Sequence, residues 1–149
     1  MKWNLIASAA IVLMLAYFIV VNHIDVYPWN NLVAPQLSST LAGVVPFGVY
    51  ALAFALGIRW LMIIGTVHSY VWLALQIRQW WIPYLFGPTL LHRDFQWYVA
   101  HGYDRTIRIV PAVEDRPTPD AQHLVLQALS FVVVVATTAA MLRYRPIRR

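Results

Sequence analysis

Five histidines and six carboxylates carry most of the chemical capacity of this chain of 149 residues. His68 stands apart from the rest, because it sits inside an apolar run that starts at Trp60 and continues to Leu75. If a helix begins at Trp60, eight residues at about 1.5 Å each put His68 roughly 12 Å in, near the middle of a bilayer. An ionisable group at that depth is a functional-site candidate: a haem or metal ligand, or a station in a proton relay. The competing reading is a neutral imidazole hydrogen-bonded to a neighbouring helix, with Ser130 or Thr137 as its expected partner. That reading is favoured, since burying a paired neutral imidazole costs little, and no second histidine lies deep in an apolar run to make an axial pair.

A second group lies outside the apolar runs. His23-Ile24-Asp25 and His92-Arg93-Asp94 are His-x-Asp triplets, and His101, Asp104, Glu114, Asp115 and His123 fall in or beside the same connections. Imidazoles with carboxylates suit zinc or another divalent ion, so His23, Asp25, His92, Asp94, His101, Asp104 and His123 are the candidate ligands. Against this, the strict His-Glu-x-x-His spacing is absent, and Arg–carboxylate pairing in a solvated loop explains the same residues. No resident cofactor is expected. His92-Arg93-Asp94 also matches the first letters of a kinase catalytic loop, but the rest of that signature is missing. The chain has no cysteine, which excludes thiolate catalysis, disulfides and Cys-ligated metal.

The third candidate is a polar stripe. Gln127, Ser130, Thr137 and Thr138 share one helical face, and so do Gly65, His68, Ser69, Trp72 and Gln76. Such residues hydrogen-bond across helix interfaces in lipid, and a solute pathway would use them too. The stripe carries no charge, so the expectation is packing, with His68, Ser69, Gln76, Gln127, Ser130 and Thr137 facing the bundle interior.

These residues must be positioned by elements suited to an apolar medium. Hydrophobic residues make up 60% of the chain and charged ones 11%, with a mean hydropathy of +0.60. A water-facing domain is usually about 25% charged. The expected fold is an all-α integral membrane protein: a four-transmembrane-helix bundle with an ordered extramembrane loop between the third and fourth spans. The spans fall at about 4–22, 40–58, 60–82 and 122–142, the loop at about 87–120, and residues 1–149 form a single membrane domain. Ser38-Ser39-Thr40 offer N-caps for the second span, and Gly57-Ile58-Arg59 marks a tight turn before the third. In the loop, residues 106–110 partly alternate and predict a short strand. Thr118 is the expected N-cap of the fourth span, with Pro119 at the first helical position and Asp120 in the first turn.

The formal net charge is +5, and ten of the eleven basic residues are arginine. They form no stripe interleaved with aromatics, so nucleic acid is not expected as a partner. Lys2, Arg59, Arg143, Arg145, Arg148 and Arg149 would share one side of a four-span protein, and the first connection has no Lys or Arg. The positive-inside rule therefore places both termini in the cytoplasm of a cell (plasma or inner) membrane. Arg78, Arg93, Arg105, Arg108 and Arg116 speak for the reverse, but long folded segments count for less. Arg143, Arg145, Arg148 and Arg149 are expected to meet anionic lipid headgroups.

Small four-helix multidrug exporters resemble this chain in span count alone, since they rely on a membrane-embedded carboxylate and no Asp or Glu here lies in a span. The expected function is non-enzymatic: an accessory or scaffold subunit, or a homo-oligomer. It would bind other membrane subunits or itself through its helix faces and the 87–120 loop. The alternatives are a transporter or channel subunit with a polar interior, and a membrane-embedded haem or metal protein using His68 or the outer His/Asp set.

Overall fold

The structure, a computed structural model, describes residues 2–87 and 95–144. Four long helices dominate it: α1 (Lys2–His23), α2 (Leu37–Leu56), α3 (Arg59–Phe86) and α5 (Ala121–Leu142). A short helix, α4 (Phe95–Ala100), and a single 3-10 turn (Tyr103–Arg105) lie between α3 and α5. All four long helices are long and apolar enough to cross a membrane. The described residues form no strand. Where the alternation of residues 106–110 predicted one, there is a lone antiparallel bridge between Arg108 and Asp120.

The helix boundaries follow from local chemistry, and three differ from expectation. First, α2 begins at Leu37, directly after Pro35-Gln36, and Ser38 to Thr40 do not cap it. Its first turn closes on the Gln36 carbonyl, which accepts both the Thr40 amide at 2.9 Å and the Thr40 hydroxyl at 2.9 Å. At the other end Gly57 adopts φ +71°. The Gly57 amide donates to Phe54 O and the Ile58 amide to Ala53 O, the paired pattern that lets a helix stop and turn at once. The chain then re-enters helix at Arg59.

Second, α3 runs to Phe86 rather than stopping near residue 82. Arg116 explains the extension, because its guanidinium Nη1 donates to the terminal carbonyls of Tyr84 and Leu85, both at 3.1 Å. A cation at a helix C-terminus also complements the helix dipole. Third, the N-cap of α5 is Asp120, not Thr118. The Ile109 amide donates to Pro119 O and the Ala121 amide to Ile107 O. This pairing holds Asp120 extended at φ −111°, ψ 170°, so the helix starts only at Ala121.

The four long helices form a closed ring in which α1 packs on α2 and α5, and α3 packs on the same two. Neighbours are antiparallel, so both long connections gather at one end of the bundle and the Gly57 turn lies at the other. The core is built from Ala7, Ile11, Met14 and Phe18 of α1, at helical spacing, against Phe47, Tyr50, Phe54, Met62, Leu126 and Val133. Close approach is built in at Gly43 and Gly65: a Cβ there would meet Phe18 Cε1 at 2.7 Å and Tyr50 Cγ at 2.8 Å. The outward faces are apolar as well. Leu13, Leu52, Val67, Phe131 and Val135 are each more than half exposed. Water would make such continuous apolar surface a liability, whereas a lipid environment would not.

A second, smaller core sits at the loop end. Trp80 from the late part of α3 packs with Tyr98 and Tyr103, and Trp81, Phe95 and Trp97 close around them. The segment after residue 94 is therefore attached to the bundle through aromatic contacts.

Candidate functional site

The interior polar residues meet along the seam between α3 and α5. Ser69 Oγ lies 3.4 Å from Thr137 Oγ1. Gln76 Nε2 donates to Ser130 Oγ at 2.8 Å, and Trp81 Nε1 donates to Gln127 Oε1 at 2.8 Å. Ser69 to Gln76 and Thr137 to Ser130 are equal steps of two turns in opposite directions, which is why antiparallel helices bring both pairs into register. The Ser130 and Thr137 hydroxyls also donate to carbonyls one turn back, Leu126 O and Val133 O, both at 2.8 Å. The seam is thus closed by contacts between its own members.

His68 faces α2. Its Nδ1 is 3.2 Å from the Tyr50 hydroxyl, and its ring stacks on Phe47 with centroids 5.0 Å apart. The partner is Tyr50 rather than Ser130 or Thr137, because the Gly57 turn folds α3 directly back along α2. Ser69, one residue on, takes the side facing α5.

At the loop end the geometry is more demanding. Asp120 is completely buried. Its Oδ1 accepts the His123 amide at 2.9 Å, capping α5, and the His123 Nδ1–H at 2.7 Å. Its Oδ2 accepts the Thr106 hydroxyl at 3.0 Å. A buried carboxylate needs such donors to be tolerated. The imidazole of His123 in turn lies against Trp80, with centroids 3.7 Å apart. In the neutral imidazole, Nδ1–H directed at the carboxylate leaves Nε2 as the lone-pair nitrogen of His123. His101 is set in the same way, its Nδ1 donating to Trp97 O at 2.8 Å.

The two connections interlock around these histidines. Asn30, 2% exposed, accepts the Val26 amide and donates to Val21 O and Ile24 O. Asn31 donates to Gly102 O, Gln36 to the Tyr103 hydroxyl, and the Ile107 amide to Pro28 O. Trp29 Nε1 donates to the Tyr17 hydroxyl, which donates to Gln122 O. Nearby, burial pushes the Tyr98 phenol above its ordinary value of 10.0, with the charge of Arg108 opposing and that of Asp120 adding to the shift. Between these parts is a cavity of about 520 Å³, bounded by the end of α1, the first turn of α2, the first connection, His101, Tyr103 and the first turn of α5.

The residues proposed for a metal are divided among other tasks. His23 Nε2 is 3.0 Å from Thr40 Oγ1, and Asp25 accepts the Leu32 amide. His101 and His123 face the cavity wall as described, and one carboxylate oxygen of Asp104 is buried without a hydrogen-bond partner. Among the described residues no three His, Asp or Glu side chains stand together to hold a metal ion; His92 and Asp94 lie outside the described residues. Of the headgroup arginines, Arg143 sits over the Trp3 ring at 4.0 Å, at the end of the bundle with Gly57. Arg145, Arg148 and Arg149 lie outside the described residues.

The residue missed from sequence is Asp120. Its signal was present as Asp-Ala-Gln-His, an acceptor followed three residues later by a donor at a helix start, the spacing of a reciprocal cap. Gln122, Gln36 and Tyr103 had no comparable local signal. No protein-family model, no curated protein and no solved structure matches this chain.

Proposed function

We propose that the chain is a non-enzymatic, multi-pass protein of the cell membrane that works by binding at the loop end of its bundle, as an accessory or scaffold subunit or as a homo-oligomer. The observation that carries this reading is the cavity of about 520 Å³, which lies within the size range of small-molecule sites. It is walled by segments far apart in sequence that hydrogen bonds tie together. In this reading the four long helices span the bilayer, and the Gly57 turn and both termini face the cytoplasm. Lys2, Arg59 and the C-terminal arginines favour that orientation.

Two rivals have weaker support. A transport pathway would need interior polar groups open to a solute, whereas Ser69, Gln76, Ser130 and Thr137 bond to one another or to their own helices and Gln127, buried, accepts the Trp81 indole N–H. A haem site would draw on His68, but its ring is stacked on Phe47 at 5.0 Å, and among the described residues no second histidine lies in the middle of a long helix to complete an axial pair.

The chain lacks cysteine, so single cysteines at Ala34, in the cavity wall, and at Val113, exposed on the other connection, can be labelled with maleimide. Labelling at Ala34 should be slower in native membranes than in lipid nanodiscs of the purified protein, with Val113 unchanged. Equal rates at Ala34 in both settings would remove the binding reading.

A further inference from the structure

We propose that the loop-end cavity holds an uncharged polyhydroxyl group, a sugar or glycerol moiety, with Gln122 and His123 as its hydrogen-bond acceptors. This rests on the reading of the loop end as a binding site and narrows it to a chemical class.

The character of the wall speaks against ions. Among the described residues no Lys, Arg, Asp or Glu lines the cavity. A fully charged ligand would lose its water there without gaining a counter-charge. What the wall does offer is both acceptors and donors. Gln122 is 6% exposed and lines the cavity, yet its Oε1 is buried with no hydrogen-bond partner. A buried orphan acceptor of this kind is uncommon in folded proteins and asks for a donor that completes it. His123 and His101 add two more acceptors, because Asp120 and Trp97 O take up their Nδ1–H groups. The buried carboxylate behind His123 also makes its remaining ring nitrogen a better acceptor.

The first turn of α2 forms another part of the wall. Gln36 makes no side-chain cap, so the amides of Leu37, Ser38 and Ser39 have no acceptor within the helix. All three residues line the cavity. An ammonium would satisfy only the acceptors and a carboxylate only the donors. A hydroxyl donates and accepts, so a polyol satisfies both sets together. Phe18, Tyr103 and Leu126 supply apolar surface for the C–H faces of a sugar ring. The group can belong to a free sugar or to the head of a lipid.

The test uses the full chain purified in a zwitterionic detergent, never an alkyl glycoside, and placed in phosphatidylcholine nanodiscs. Calorimetric titrations with glucose, octyl glucoside below its micellar concentration, octanoate and octyltrimethylammonium are corrected with empty nanodiscs. Saturable binding of glucose and octyl glucoside supports a free-sugar site; saturation by octyl glucoside alone supports a lipid head. In either case Gln122→Met should weaken binding about threefold to tenfold, the worth of one hydrogen bond, with no loss of thermal stability. Ala34→Trp, which fills the cavity, should abolish it. If neither glycoside saturates, or if Gln122→Met binds as well as the parent, the proposal is wrong. Saturation by octanoate or octyltrimethylammonium in preference to the glycosides, blocked by Ala34→Trp, also overturns the chemical class while leaving the binding end in place. The Ala34 labelling comparison reports on that broader reading separately.

Discussion

Asp120 is the residue on which the loop end depends, and replacing it by alanine removes three hydrogen bonds at once. Those bonds run from the His123 amide at 2.9 Å, the His123 ring at 2.7 Å and the Thr106 hydroxyl at 3.0 Å. Losing an N-cap costs about 0.5–2 kcal/mol, and a hydrogen bond to a charged acceptor is worth about 1.5–3 kcal/mol. These contributions are not additive, and relief from holding a buried charge offsets part of them. A net cost of about 3 kcal/mol is the expected outcome for Asp120→Ala. Thr106 limits the damage, since its hydroxyl also bonds Tyr103 O at 2.8 Å.

Asn at the same position should behave differently. Its oxygen can keep both His123 bonds, and its amide can donate to Thr106 Oγ1 while the Thr106 hydrogen, shared between Asp120 and Tyr103 O in the parent, goes to Tyr103 O alone. Only the charge assistance is lost, so Asp120→Asn should cost about 1 kcal/mol. Amide hydrogen exchange in nanodiscs reads these costs locally. At about 1.4 kcal/mol per factor of ten, Asp120→Ala should speed exchange across residues 106–109 and 119–124 by about 100-fold, and Asp120→Asn by less than about tenfold. Exchange in α2 around Phe47 and Phe54, packed away from the loop end, should not change. A less than threefold effect of Asp120→Ala, or equal effects of the two substitutions, would refute the claim that hydrogen-bond geometry at Asp120 holds this end together.

Gly65→Ala should destabilise the bundle by about 1–3 kcal/mol, measured as a lower thermal midpoint, because its Cβ would meet Tyr50 Cγ at 2.8 Å; an unchanged midpoint would contradict the packing of α3 on α2. Ser69→Ala should cost about 1 kcal/mol, since it removes a 2.7 Å bond to Thr66 O within its own helix and a long contact to Thr137, and a loss well above that would mean the seam is more than packing. Burial holds the proton on Tyr98 more tightly in the folded than in the unfolded chain. Its contribution is therefore complete below the unfolded phenol value of about 10 and falls as pH rises past it toward the higher folded value; Tyr98→Phe should reduce the alkaline loss of stability, and an identical loss in both proteins would sink the argument. Cysteines at Ser38 and Ile58 should label from opposite sides of the membrane, and labelling from one side would rule out α2 as a span.

The four long helices could be read from sequence because each is a run of apolar residues ended by chemistry that acts locally. Gly57 stops α2 wherever that helix sits, since only a residue tolerant of positive φ can close the turn. Leu124 to Leu142 need no partner to be recognised as a helix too apolar for water. The polar face that includes Ser130 and Thr137 was legible for the same reason, because helical periodicity puts them together before any packing is known. What periodicity does not specify is rotation and neighbour, so it offered His68 no way to choose Tyr50 over Ser130. The N-cap of α5 failed for a related cause. Thr118 and Asp120 are both good caps, Asp the better by propensity, and the pairing of residues 107–109 alongside 119–121 settles the choice on Asp120. That pairing places Thr106 and His123 on one carboxylate and draws Trp80 against the imidazole. The cavity next to it then follows from contacts between residues some seventy to one hundred positions apart, such as Asn31 with Gly102 and Tyr17 with Gln122. A cavity walled by amides and imidazoles in this way has no compact motif. Its trace in the sequence is one acid three residues before a histidine, at the point where a long apolar helix begins.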